Sequence, residues 1–266
     1  MKVNYHTHCN RCRHADGTAE EYVRSAIHAG LTILGFSDHG PFPDTDFKRL
    51  RMPYEELRDY LADLKELKEK YDSQITLYSG LEIEYLHEFE PYYQALLNEM
   101  GLDYLILGQH FFKNASGGLT DLYSLKSSEE ALEYACSACE GMRSGFFRIL
   151  AHPDLYMFNA FSWDENCEKA CELLIDTAVS TGTILEYNAN GYRRGIHAFS
   201  DGDRYYYPDP RFWRIAARHA SEIQVIVGSD CHNPSQVWDE AMERAYQDLE
   251  ELGIEPTFDF LPHQAF

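Results

Sequence analysis

No stretch of the sequence approaches the ~20 consecutive apolar residues that a membrane-crossing helix needs. The chain opens on Lys2-Val3-Asn4-Tyr5 rather than on an apolar leader, so the cytoplasm is the expected location. No glycine-rich linker, low-complexity tract or internal repeat divides it; residues 1–266 are expected to form one domain. Cations are scarce: 23 Lys and Arg stand against 44 Asp and Glu, a formal net charge of -21. Such a surface repels phosphate backbones and argues against nucleic acid as a partner. The seven cysteines are an odd count with no secretory signal, which excludes a disulfide framework. Cys136 with Cys139, and Cys167 with Cys171, have helical spacing and read as packing residues. Cys9 and Cys12 sit among histidines, but no second close pair completes a zinc knuckle, so they too read as structural or peripheral.

What is present suits a globular α/β protein: 44% hydrophobic and 25% charged residues over 266 positions. Short runs rich in Ile, Leu, Val, Phe and Tyr read as strands. They are Val3–His6, Thr32–Ser37, Ile75–Ile83, Tyr104–Gln109, Phe146–Ala151, Thr183–Tyr187 and Gln224–Gly228. Between them lie helix signals. Thr18-x-x-Glu21 has capping-box spacing, Pro53 opens a helix to about Lys70, and Ser127 to Arg143 is amphipathic. Ser162 starts a fourth helix ending near Gly182, Asp209-Pro210 starts another, and Ser235 to Leu252 is the last. Alternation of buried strands with helices predicts a parallel sheet, either closed into a barrel or open and doubly wound.

The polar residues choose between them. Almost every strand run ends in a side chain able to bind metal: His6 and His8, Asp38 and His39, Glu82 and Glu84, His110, His152 and Asp154, Glu186 and Asn188, Asp230 and His232. In a barrel the C-terminal ends of all strands converge on one face, where active sites are built. An open sheet gathers such residues only at one crevice. The expected fold is therefore a distorted seven-stranded (β/α)7 TIM-like barrel. Along a strand, residues i and i+2 share a face, so the imidazoles of His6 and His8 could reach one metal, with Glu82 and Asp230 from other strands. One histidine at a strand end is usually structural; a set this large, with carboxylates, is not.

These segments resemble the polymerase-and-histidinol-phosphatase (PHP) family of metal-dependent phosphoesterases. The matching pieces are His6-Thr7-His8, Arg13-His14-Ala15-Asp16-Gly17, Gly35-Phe36-Ser37-Asp38-His39, Gly80-Leu81-Glu82, Asp103 through His110, Ala151-His152-Pro153-Asp154 and Gly228-Ser229-Asp230-Cys231-His232. The resemblance implies the distorted seven-stranded barrel and a trinuclear centre of divalent ions. By that resemblance, His6, His8, Glu82 and Asp230 would hold the first ion. Glu82, His110 and His152 would hold the second. The third would take His14, His39 and His232, with Asp16 an alternative to His14. Within the family, the histidinol-phosphate phosphatase branch is similar at His14-Ala15-Asp16-Gly17, Asp38 through Pro43, Glu186-Tyr187-Asn188, Gly191-Tyr192-Arg193 and Tyr207 through Pro210. Ala151-His152 and Gln109-His110-Phe111 match it more loosely. The branch implies hydrolysis of L-histidinol phosphate to L-histidinol and phosphate; the alternative is another small phosphate ester or nucleotide ends.

The chemistry follows from general two-metal logic: a hydroxide shared by two ions attacks phosphorus in line with the leaving alcohol. Glu82, Asp230, His232 and Arg193 are the expected catalytic residues. Asp230 and His232 are near the expected centre, but metal ligation would compromise either as a free acid, so the general acid is left unassigned, with His197 as an alternative. Asp154 or Asp38 could orient neighbouring histidines. Arg193 or Arg194 could clamp phosphate. Asn188, His197, Phe42 with the rest of the loop 41–47, Glu84, Tyr85, Phe111 and Phe112 are candidates for the substrate pocket. Zinc, manganese or iron would each suit a mixed imidazole and carboxylate set. Two rivals are weaker. A metal-binding regulatory module that had lost its chemistry would lack ligands, and here every position is filled. An amidohydrolase would want a lysine at a middle strand end, where Glu82 stands. Composition selects no oligomeric state.

Overall fold

The structure, a computed structural model, describes residues 1–43 and 50–261. Chain order runs β1 (Val3–Asn4), α1 (Ala19–Ala29), β2 (Ile33–Phe36), α2 (Leu57–Tyr71), β3 (Thr76–Ile83), α3 (Glu90–Asn98), β4 (Tyr104–Leu107) and a hairpin of β5 (Phe111–Lys113) with β6 (Leu119–Asp121). It continues through α4 (Ser128–Ser144), β7 (Ile149–Leu150), α5 (Glu165–Thr181), β8 (Ile184–Asn188), the single turn α6 (Asn190–Arg193), and a hairpin of β9 (His197–Phe199) with β10 (Gly202–Arg204). It ends with α7 (Pro210–Ala216), β11 (Val225–Gly228) and α8 (Glu240–Leu252).

Seven strands pair in parallel in the order β1-β2-β3-β4-β7-β8-β11. The seam between β1 and β11 is bridged rather than laddered. Asn4 accepts the Ser229 N–H at 3.1 Å and donates to the Val237 carbonyl at 3.2 Å. One turn higher, Thr7 makes a parallel bridge to Cys231, and the His8 N–H donates to the Cys231 carbonyl at 3.0 Å. The barrel is nearly closed, as the dispersion of polar strand ends predicts.

Alternation along the strands sorts the apolar residues into two layers. Val3, Tyr5, Ile33, Tyr78, Tyr104, Ile106, Ile149, Ile184 and Ile226 fill the barrel interior. Leu34, Phe36, Leu81, Leu105, Leu107, Leu150, Leu185 and Val227 face outward to the helices. The interior has room for Tyr104 because Gly35 lacks a side chain: a Cβ there would come within 2.3 Å of the Tyr104 hydroxyl. That hydroxyl donates to the Tyr5 carbonyl at 2.6 Å. The strands' N-terminal ends are covered by the C-terminal segment. Phe258, Phe260 and Leu261 pack on the interior cluster, and Tyr5 donates to the Phe258 carbonyl at 2.9 Å. Among the described residues, the C-terminal face of the barrel is the one left open.

The Thr18–Glu21 capping box forms as its spacing predicts. The helix expected from Ser162 begins instead at Glu165, because Asp164 caps it with bonds from the Asn166 and Cys167 N–H groups. The helix expected from Ser235 begins at Glu240 under the Asp239 cap, after a separate 3-10 turn at Pro234–Gln236. Helix α3 and both hairpins are additions to the expected elements. Among the described residues, no helix is long and apolar enough to cross a membrane.

Candidate metal centre

Three strands end in backbone that ordinary residues avoid. Gln109 after β4, His152 after β7 and Asp230 after β11 have φ of 42°, 31° and 46°. Each such non-glycine residue costs about 1–3 kcal/mol and persists only where the surroundings enforce it. The turn swings the side chains of His152 and Asp230 over the barrel mouth, toward Glu82 near the end of β3.

Glu82 is buried at the centre, 1% exposed, and its two oxygens face different histidines. Oε1 lies 3.0 Å from His152 Nε2 and 3.5 Å from His110 Nε2. Oε2 lies 3.4 Å from His6 Nε2, 3.6 Å from His8 Nε2 and 2.9 Å from His39 Nδ1. Asp230 Oδ1 approaches His8 Nε2 at 3.2 Å and His6 Nε2 at 3.7 Å. Beyond His8, the rings of His39 and His232 stack on it at 4.2 and 4.3 Å. His14 Nε2 faces His232 Nε2 at 3.0 Å. The structure thus brings all nine expected metal-binding side chains into one cluster. His39 stands between the Glu82 group and the His14–His232 pair, next to both.

The donor set fits divalent cations. Two donors about 2.1 Å from one ion at the tetrahedral angle sit about 3.4 Å apart, which is the spacing found. Among the described residues, His6 Nε2 and His8 Nε2 are buried without a hydrogen-bond partner, and Glu82 Oε2 has only the ion-pair approaches given above, a costly arrangement unless something else satisfies them. The far ring nitrogens show which atoms are left to point inward. Glu186 takes the Nδ1–H of His6 at 2.7 Å, and Glu84 that of His110 at 3.1 Å. The carbonyls of Cys12 and Asp230 lie 2.9 and 3.2 Å from Nδ1 of His14 and His232. Each of these oxygens fixes the tautomer with an Nε2 lone pair facing the cluster. Two such lone pairs facing each other at 3.0 Å, as in His14 and His232, repel unless a cation lies against both.

The charges agree. Burial alone would raise the carboxyls of Glu82 and Asp230, yet the imidazoles around them hold both well below the usual range. Burial would likewise lower His8, but Asp230 and Asp38 hold it up at about 9. Burial and the neighbouring His8 push His232 down to about 3. The carboxylates stay ionised and favour positive charge in the cradle, while the outer histidines stay neutral and able to donate.

The cluster opens into a cleft of about 380 Å³ whose wall includes His14, His39, His110, Tyr123, Arg194 and His232. That is room for a small molecule. The arginine pair divides. Arg193 reaches the wall, but its guanidinium is spent on Asp239 at 2.7 and 2.9 Å and on Ser229, tying α6 to the start of α8. Arg194 lies over the Phe158 ring at 5.9 Å, and the neighbouring Tyr207 hydroxyl favours its charge. Of the two, Arg194 is the one with donors turned to the cleft.

Other pocket candidates have structural surroundings. Phe42 is 1% exposed and packs on Phe89 at 4.7 Å, so it offers no free face; positions 44–47 of its loop lie outside the described residues. Tyr85, Phe111 and Phe112 are buried. Glu84 pairs with Arg51 at 2.9 Å and orients His110 rather than facing the cleft. His197 packs tilted against Tyr206, ring centroids 4.0 Å apart, and bonds the Arg194 carbonyl, away from the cluster. Asn188 donates to Glu186 and Asp230 at 2.8 and 3.2 Å, linking two of the carboxylates. Asp38 stands 3.8 Å from His8 Nδ1 and takes a bond from Cys9 Sγ at 2.8 Å. Asp154, expected to orient a histidine, instead accepts from the Asp209 N–H and Trp213 Nε1. The sequence gives Tyr123 no signal, because its place over His110 (ring centroids 6.0 Å apart, 8° between planes) depends on the β5–β6 hairpin.

Comparison with known proteins agrees with this geometry. A Deinococcus radiodurans protein named "Probable histidinol-phosphatase" is 28% identical over 87% of this chain and 86% of its own length. The Bacillus subtilis protein named "Histidinol-phosphatase" is 25% identical over 89% of this chain and 96% of its own. The fold matches a crystal structure of histidinol phosphate phosphatase from Lactococcus lactis, complexed with zinc, L-histidinol and phosphate, with a TM-score of 0.70 at 18% identity over 98% of both chains. The model of the PHP domain matches residues 4–190, well over half of the sequence and six of the seven barrel strands, and the chain belongs to that family.

Proposed function

We propose that the protein hydrolyses L-histidinol phosphate to L-histidinol and inorganic phosphate, using divalent ions held at the barrel mouth. One observation carries the reading: Glu82 turns its two oxygens to two separate groups of histidines, the arrangement needed to keep neighbouring cations close. His6, His8, Glu82 and Asp230 would hold one ion, Glu82, His110 and His152 a second, and His14, His39 and His232 a third. Zinc, manganese and iron each suit these donors. When bound, such ions acidify water and neutralise charge on phosphoryl oxygens.

The chain's own residues supply the rest. Glu186 and Glu84 keep Nε2 of His6 and His110 directed inward. Asn188 holds Glu186 and Asp230 in register. Arg194 offers forked N–H donors to the phosphoryl oxygens at the open side. Tyr123, 39% exposed over His110, presents an aromatic face to the leaving alcohol. Asp230 and His232 stand beside that alcohol but are engaged as ligands and held deprotonated, so the proton donor is left unassigned. The names of the two curated relatives, and the L-histidinol and phosphate bound by the Lactococcus protein, support the choice of substrate. Seven free cysteines, six of them buried, suit a reducing cytoplasm.

A monoesterase built this way releases phosphate from a monoester far faster than it cleaves a phosphodiester. Comparing the two with the same metal-loaded protein tests the reaction class, and a preference for the diester would overturn it.

A further inference from the structure

The two oxygens of Asp230 have different neighbours. Oδ1 faces the histidines, 3.2 Å from His8 Nε2 and 3.7 Å from His6 Nε2. Oδ2 instead accepts two amide N–H groups, from Asn188 Nδ2 at 3.2 Å and from Asn190 Nδ2 at 3.3 Å. The donor role of Asn188 is fixed by its other atom. Its Oδ1 accepts the Asn190 backbone N–H at 2.9 Å, so Nδ2 is the atom turned to Asp230 and, at 2.8 Å, to Glu186 Oε2. Strand pairing brings these groups within reach. Asn188 at the end of β8 stands opposite Gly228 at the end of β11, and the Ala189 N–H donates to the Gly228 carbonyl at 2.8 Å. Asn190 follows as the first residue of α6 and lines the cleft.

We propose that Asn190, together with Asn188, is a positioning residue that confines Asp230 to holding a cation through Oδ1 alone, and so keeps one position of that ion open to the cleft. The proposal rests on Asp230 being a ligand of the ion shared with His6, His8 and Glu82. An ionised carboxylate has about two lone-pair sites on each oxygen. The two amides occupy both sites of Oδ2, which leaves Oδ1 as the oxygen able to donate to an ion. A carboxylate bound through both oxygens would take two positions, and a catalytic ion needs one left for water or substrate. The turn at Asp230, with φ of 46°, fixes where the carboxyl group sits but not how it rotates about its own bond; the amides set that rotation. Asn188 also serves Glu186, whereas among the described residues the Asn190 amide nitrogen bonds Asp230 alone.

The test uses full-length protein loaded with cobalt(II), as the parent, Asn190→Ala and Asn190→Leu, the last keeping the bulk of the side chain. Three quantities are read: bound cobalt per chain, visible absorption per bound cobalt, and affinity for inorganic phosphate. Cobalt(II) absorbs less strongly as its coordination number rises. Freed of one amide, Oδ2 should join Oδ1 on the ion, so both variants should bind as much cobalt as the parent yet absorb less per ion. Phosphate must then displace an oxygen, and its affinity should fall by about tenfold, the worth of one hydrogen bond to a charged group. An unchanged spectrum beside weakened phosphate would overturn the proposal and make Asn190 a direct phosphate contact. An unchanged spectrum with unchanged phosphate affinity would overturn it outright, as would loss of cobalt from either variant. None of these readings needs turnover. A parent protein that fails to hydrolyse L-histidinol phosphate, while the variants shift as expected, would remove the substrate and leave the role of the two asparagines standing.

Discussion

Glu186 Oε1 lies 2.7 Å from Nδ1 of His6, on the opposite side of the ring from Glu82. Its other oxygen accepts the His152 N–H at 3.1 Å. One buried carboxylate thus sets the tautomer of one candidate metal ligand and the backbone of another. Glu186→Gln should lower metal affinity by about 10–100-fold. Competition with a chelator measures this, and retention equal to the parent protein would contradict it.

Gly228 gives Glu186 its space. A Cβ at position 228 would stand 1.7 Å from Glu186 Oε1. Gly228→Ala should therefore displace the carboxylate and reproduce the metal loss of Glu186→Gln while circular dichroism stays that of the parent. Normal metal retention in this variant would show that Glu186 can move without consequence.

Glu82 shares its charge between two groups of histidines. Glu82→Gln should reduce kcat/KM by at least about 10²–10³-fold, the usual cost of removing a charge-stabilising group. Elemental analysis should show more than one metal equivalent lost per chain. Loss of a single equivalent would mean that Glu82 serves only one ion.

The Arg51–Glu84 pair is buried, with a 2.9 Å contact. Burial would raise the Glu84 carboxyl above its ordinary 4.5, but Arg51 and His110 draw it down to about 2. A depressed carboxyl stabilises the fold above its unfolded pKa, so this contribution is present above about pH 4.5 and fades as pH falls toward 2. Arg51→Met leaves the charge uncompensated and should cost about 3–5 kcal/mol near neutral pH. Denaturant unfolding at pH 7 and pH 3 should show the variant's deficit shrinking in acid. A deficit independent of pH would point to lost packing instead.

Much of the fold was legible because strand ends carry two signals at once, an apolar run and then a polar side chain that no core would tolerate alone. The barrel follows from their distribution, and the Thr18–Glu21 cap from local spacing. Helix α3 and the hairpins at 111–121 and 197–204 were not legible, because their short runs acquire meaning only through tertiary packing. The candidate ligands were visible as residue types, but the partners that orient them were not separable by sequence. Glu84 and Glu186 look like further pocket or ligand residues until their hydrogen bonds to His110 and His6 are seen. Arg193 and Arg194 are adjacent and chemically identical; only Asp239, brought in by α8, shows which is already engaged. Asp154 follows His152 closely, yet the turn at φ 31° sends the two side chains to different neighbours.

The most direct test is phosphate release from L-histidinol phosphate by protein loaded separately with manganese, zinc and iron(II), beside p-nitrophenyl phosphate and a phosphodiester. With at least one metal, kcat/KM for L-histidinol phosphate should reach about 10⁴ M⁻¹s⁻¹ or more, with both comparison substrates far behind. Strong hydrolysis of another ester with little of L-histidinol phosphate would contradict the substrate, and no hydrolysis with any of the three metals would contradict the phosphatase itself.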